Sequence, residues 1–385
     1  MYNFRTFELA DVRGRITDFL DMIVPRNNLS DILSDKNIVA YGCGDLGRMC
    51  REFCDVEKFQ ISAYVDANYE NVSCDAFWQS EKVQPLEYLQ SLDKEKTLIL
   101  VCVVTVSLAD IFKYLNDLGF KNVMTFYDFA EQMRCNYPLQ NGWLANPENF
   151  DKNRLYKTIS YLKDTKSVAH YLSFIAWRFA REEWLFKDHG VNVGNRFMID
   201  EVIEHLSSSQ VLVDIGAHIG SVSIRFNKHL KQDLKRIICF EPDEKNRTLL
   251  RAHLTKEVNP ISKFEVFEDV LWSNSKDITF SQGHNYASCI DTIGDIRTPR
   301  MLDSFNLEPT IIKIHTEGSE LDIVKGGLAT IQKNRPIIML TVYHNEQGIY
   351  ETLEYLKRHL IDYDLIFRNH SWAGTGAVVY CLPEK

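Results

Sequence analysis

The sequence has no CxxC pair, no hydrophobic run of membrane-spanning length and no surplus of basic residues. Its nine cysteines, at 43, 50, 54, 74, 102, 135, 239, 289 and 381, are odd in number and irregular in spacing. Such a set reads as reduced thiols in a cytoplasmic protein, not as a disulfide framework. Cys102 and Cys239 sit in apolar, strand-like runs and are expected to be buried. The longest apolar run, Thr97 to Leu108, is about half of the roughly 20 residues that cross a membrane. The first residues, MYNFRTFELADVRGR, contain no apolar core of a signal peptide. With 44 Lys and Arg against 53 Asp and Glu, the net charge is -9. That balance argues against a general nucleic-acid or anionic-membrane binder, since both reward a cationic surplus. No internal repeat or low-complexity tract is present.

What is present has ordinary globular proportions, 45% hydrophobic and 25% charged. A length of 385 residues predicts two or three domains. In the first half a helix is expected over about 11–23. Strand-like runs follow at 37–41, 60–65, 97–104 and 122–127, with helical stretches after the first and third. Strands alternating with helices imply a parallel sheet, here a small Rossmann-like α/β domain. Gly42, Gly44 and Gly47 fit GxGxxG between a strand and a helix, and Asp66 ends the next strand. That combination is a weak second nucleotide or sugar-nucleotide site, or a domain that only supports the rest.

Between 151 and 189, Leu155, Ile159, Leu162, Val168, Leu172, Ile175 and Phe179 recur at helical spacing among many aromatics. The expected element is a helical connector packed between domains; an acceptor-binding or dimer-forming surface is the alternative. From residue 210 the alternation resumes, with strands at 211–214, 236–240, 264–267, 310–314 and 336–343. A closing hairpin is expected at 364–367 and 376–382.

Ligands of such sheets bind at the carboxyl ends of the strands, where strand order reverses. There the sequence reads Asp214-Ile215-Gly216-Ala217-His218-Ile219-Gly220. The glycines let the backbone turn and approach a ligand. The loop lacks dinucleotide spacing, and an acid directly before it suits a cationic ligand such as S-adenosylmethionine. Glu241 ends the next strand, with two oxygens for the two ribose hydroxyls. Asp269 and Val270 follow the third strand, where an adenine would lie.

The stretches VLVDIGAHIG (211–220), ICFEPDEKNRTLL (238–250), IIKIHTEGSELDIVKGG (311–327) and RPIIML (335–340) resemble FkbM-type methyltransferases. TVYHNEQ (341–347), LIFRNH (365–370) and YLKDTKS (161–167) are similar to a two-domain subset with an N-terminal Rossmann-like domain. The resemblance implies a class I, S-adenosylmethionine-dependent methyltransferase acting on an oxygen of a sugar, nucleotide-sugar or glycoconjugate. It carries cofactor roles onto Asp214, Gly216, Ala217, His218, Gly220, Glu241, Asp269 and Val270. The domains it implies are 1–135 (Rossmann-like), 136–195 (helical connector) and 196–385 (methyltransferase).

One position departs from the family pattern K-I-D-x-E-G: here Lys313-Ile314 is followed by His315, then Thr316-Glu317-Gly318. An imidazole suits proton removal from a hydroxyl near neutral pH. His315 is therefore a candidate base, alone or with Glu317 or His344; it can equally orient the acceptor or mark an altered enzyme. Arg368, His370 and Trp372 are expected near the rim of the site. No spacing singles out a metal-ligand set, so no metal is expected. Two further readings stay open: an NAD(H)-dependent redox or epimerase-like enzyme built on the first glycine loop, and a non-catalytic cofactor-binding scaffold. The oligomeric state is not legible.

Overall fold

The structure is a computed structural model that describes every residue except 1, 9–11, 30–35, 134–138, 261–262, 282–288, 291–293 and 385. The expected domain boundary at 135–136, Cys135 and the start of the helix expected from Asp11 lie outside the described residues. The described part of that helix is Ile16–Met22.

Strand β1 (Asn3–Phe7) precedes a parallel five-stranded sheet. Its strands are β2 (Asn37–Tyr41), β3 (Ile61–Val65), β4 (Val83–Gln84), β5 (Thr97–Val101) and β6 (Val123–Thr125). They stand in the order β4-β3-β2-β5-β6, as a Rossmann-like unit requires. The strand expected at 122–127 ends early. Thr125 caps a helix, Phe126–Glu131, by accepting the Asp128 backbone N–H, which redirects the chain.

The connector holds the two expected helices, Lys152–Ile159 and Thr165–Ala180, each capped by an aspartate at its start. The longer one ends at Arg181 in the left-handed region, and the chain then extends as β7 (Glu182–Phe186). The sequence pattern predicts a helical connector through this stretch. It is a strand because it pairs in parallel with β1, which lies near the other end of the first half.

The second half opens with β8 (Gln210–Ile215), β9 (Leu234–Phe240) and β10 (Phe264–Phe267). A small antiparallel sheet of β11 (Ile278–Ser281), β12 (Cys289–Ile290) and β13 (Asp295–Arg297) is inserted next; it was not foreseen. Then come β14 (Ile311–Ile314), β15 (Ile337–Thr341), β16 (Tyr363–Asn369) and β17 (Ala377–Pro383). The seven-stranded order is β10-β9-β8-β14-β15-β17-β16, parallel except where β17 enters. Strand order reverses between β8 and β14, which puts the expected binding crevice beside the Asp214 loop.

The helix Thr165–Ala180 is buried along most of its length and joins the core on one face of the second sheet. Its Trp177 belongs instead to the core of the first sheet, together with Ala373. Arg178, fully buried, donates to the carbonyls of Asn141 (3.0 Å), Trp143 (3.1 Å), Tyr343 (3.0 Å) and Gly374 (2.7 Å). Arg181 forms a buried ion pair with Asp128 at 2.9 Å. The connector is thus the shared core of both halves. Arg368 and His370 are buried rather than rim residues, 4% and 3% exposed. Arg368 pairs with Asp164 and Glu201, and Trp372 donates its backbone N–H to the Val104 carbonyl. Among the described residues, no helix is long and apolar enough to cross a membrane.

Candidate functional site

A cavity of about 440 Å³ opens at the carboxyl ends of the second sheet. Its size lies in the roughly 300–1,000 Å³ range of small-ligand pockets. The loop after β8 forms its floor, with Gly216, Ala217 and His218 in the lining. Gly216 has φ +70°, and a Cβ there would sit 1.9 Å from the His315 carbonyl oxygen. The loop therefore lies directly on the end of β14. Gly220, φ +89°, is outside the lining; it starts the helix Ser221–Leu230, and a Cβ would strike Leu250.

Asp214 does not line the cavity. It is fully buried, 2.9 Å from Lys313 Nζ, with its second oxygen accepting from Ser223 Oγ at 2.7 Å. Lys313 is its register partner across β14–β8 and donates on to the Gly216 carbonyl. The acid thus shapes the loop through a lysine that does line the cavity. A lysine in the apolar run Ile-Ile-Lys-Ile was the available signal, because a buried cation needs an anion beside it.

Toward the β9 edge of the cavity stand Glu241, Asp269 and Val270. Glu241 is 5% exposed and accepts the backbone N–H groups of His218 (2.7 Å) and Asp243 (3.1 Å). Burial pushes its pKa up to about 7. Asp269 lies 3.5 Å from Arg300.

Toward the β14 edge, the strand end carries His315 and Glu317, with His344 following β15. Glu317 Oε1 lies 3.5 Å from His315 Nε2 and 3.4 Å from His344 Nε2. Glu317 has φ +52°, the left-handed region that non-glycine residues rarely occupy. Glu320, not anticipated from sequence, organises this corner. It accepts from His344 Nδ1 (2.5 Å), Thr341 Oγ1 (2.8 Å) and the N–H groups of Thr316 and Gly318. Burial and the Arg196 charge lower the His315 pKa to about 3, so its ring is neutral at neutral pH. Burial alone would lower His344, but Glu317 and Glu320 outweigh it and raise it, so His344 holds a proton between them. The Tyr343 hydroxyl is 3.2 Å from His315 Nε2 and accepts from Arg196 at 3.1 Å.

The first half reaches this corner. The Tyr127 phenol is pushed up by burial, then by Tyr343 and Glu317, and Asp45 acts on the His218 ring. In the glycine loop itself, a Cβ on Gly47 would meet the Gly42 carbonyl, whereas one on Gly44 would meet nothing. Asp66, expected for a ribose, turns its oxygens onto the backbone N–H groups of Cys43 and Asn68, both at 2.7 Å. It holds the turn.

Residues 214–363 match the family model described as the methyltransferase FkbM domain. The search of curated proteins finds no match. Among solved structures, the chain is similar to methyltransferase FkbM from Methylobacillus flagellatus KT. That similarity has 18% identity and a TM-score of 0.61, over 97% of this chain and 94% of that one. The likeness of fold includes the first half. A precorrin-6y C5,15-methyltransferase from Geobacter metallireducens GS-15 is similar over 51% of this chain and 96% of that one, with 17% identity and a TM-score of 0.32.

Proposed function

We propose, from a chain whose residues 214–363 form an FkbM-type, S-adenosylmethionine-dependent methyltransferase domain, that it methylates a hydroxyl of a sugar, nucleotide-sugar or glycoconjugate. The observation that carries this reading is one cavity with Glu241 toward one edge and the His315–Glu317 corner toward the other. The cavity residues fit the cofactor. Each Glu241 oxygen already accepts one backbone N–H and keeps a lone pair for a ribose hydroxyl. Asp269 and Val270 border the adenine end. The bound cofactor supplies a methyl group activated on sulfonium.

The protein's part is to align the acceptor and to accept its proton. Alignment alone can account for about 7–11 kcal/mol of barrier. The acceptor proton becomes strongly acidic as the new C–O bond forms, so even a weakly basic neutral imidazole can receive it. His315 fills that role, with Glu317 beside it. His344, already protonated, keeps Glu317 in place. Arg196 and Phe197 line the cavity beside this corner, and Tyr343 backs it, a donor and an aromatic face that suit a polyhydroxylated acceptor. Six of the seven described free cysteines are buried, in keeping with a reducing, cytoplasmic setting.

The test is transfer of labelled methyl to a panel of sugars, nucleotide-sugars and glycosides, beside calorimetry with S-adenosylhomocysteine. His315→Ala should lower turnover by about 10²–10⁴-fold and leave cofactor affinity unchanged. Unchanged turnover on an accepted substrate would remove His315 from the mechanism.

A further inference from the structure

Among the described residues, one group of three His, Cys, Asp or Glu side chains converges closely enough to hold an ion: His315, Glu317 and His344. Their ligand atoms all lie within 4.8 Å of one another. The rings of His315 and His344 are stacked nearly parallel, 13° apart, and both direct Nε2 toward Glu317.

The contacts are too long for hydrogen bonds, which run to about 3.2 Å for N–H···O; here they are 3.4 and 3.5 Å. His344 Nε2 and Glu317 Oε2 are buried and make no hydrogen bond, and His344 as a whole is 1% exposed. Three donors, from Thr316, Gly318 and Thr341, fix Glu320, which in turn fixes His344 through Nδ1 and leaves Nε2 pointing into the cluster. A carboxylate on the far nitrogen of a histidine is the usual support of a metal-bound imidazole. The observed spacing also has a geometric meaning. Ligands at 2.0–2.1 Å in a tetrahedron are separated by about 3.3–3.4 Å.

We propose that His315, Glu317 and His344 bind one divalent transition-metal cation, with the cavity side left open for a fourth ligand. Two imidazoles and one carboxylate select a zinc-, cobalt-, manganese- or iron-type ion over magnesium or calcium, which prefer all-oxygen sites. The cation takes the place of the contact between Tyr343 and His315. Resting on the methyltransferase reading above, the open position takes the acceptor oxygen and makes its proton easier to lose to water. With the ion bound, His315 is a ligand and water takes the acceptor proton; in the metal-free protein the neutral His315 ring takes it.

The test uses the full chain, first dialysed against a chelator, and Co²⁺ or Zn²⁺ alone as titrant in calorimetry, with the visible spectrum of the cobalt form. One equivalent should bind and give the intense bands of a low-coordinate cobalt site. His315→Ala, at a side chain that is 25% exposed, should abolish that spectrum while the far-UV circular dichroism stays that of the wild type. Glu320→Gln should weaken binding by about 10–100-fold. Absence of stoichiometric binding by the wild type overturns the proposal, as does wild-type affinity in both variants. Metal binding without transfer to any acceptor would leave the site standing and defeat the functional reading. Transfer at an unchanged rate after the metal is removed would defeat the ion's role in the reaction and leave the functional reading standing.

Discussion

In the cofactor site proposed above, Glu241 is an acid whose charge state bears on ligand entry. Burial raises its pKa to about 7, so below that value the free protein carries a proton there. Ribose hydroxyls donate to the ionised form, so binding must expel the proton. Affinity for S-adenosylhomocysteine should therefore rise as pH increases through about 7 and level off above it. Calorimetry near pH 6.5 in buffers of different ionisation enthalpy should show proton release, and a binding enthalpy independent of buffer would contradict this. Glu241, His315, Glu317 and His344 were legible in the sequence because each stands at or just after a strand end. Glu320 was not. An acid in the first turn of a helix ordinarily complements the helix dipole, and only the pairing of β14 with β15 brings His344 over it. Asp214 was legible as important but not in its role, since its partner Lys313 is 99 positions away in the chain and adjacent only through register.

At the level of elements, the tightest joint is the loop after β8 lying on the end of β14. Gly216→Ala would add a Cβ 1.9 Å from the His315 carbonyl at φ +70°. The left-handed backbone alone costs an alanine about 1–2 kcal/mol, and the clash adds to it. The expected result is a loss of more than about 2 kcal/mol in stability with weakened cofactor binding, read from denaturant unfolding and calorimetry. Wild-type values for both would show that the loop has room to move. The longer strands of both main sheets were readable because each is an apolar run bounded by turns, whereas β4, two residues long, was not. The pair β1–β7 was not, because Trp184 and Phe186 continue the aromatic density of the preceding helix. Its partner is also remote in sequence. The sheet β11–β13 escaped because its strands have only two to four residues.

On the scale of the whole molecule, Arg178 binds the halves into one body. Arg178→Met would keep the apolar stem but leave the carbonyls of Asn141, Trp143, Tyr343 and Gly374 without that donor. Each buried, unsatisfied group costs about 1–3 kcal/mol. Thermal unfolding should then separate into two transitions where the wild type shows one, and a single unshifted transition would argue against the clamp. The same four carbonyls also set an order of events during synthesis. Asn141 and Trp143 are translated before Arg178 itself, but Tyr343 comes late and Gly374 follows β16, just ahead of β17. Strand β17 then inserts between β15 and β16, so β16 has no partner strand in the sheet until the chain beyond it has emerged. A ribosome-bound chain stalled before residue 374 should therefore expose the connector helix to proteases and chaperones, even with the first sheet complete.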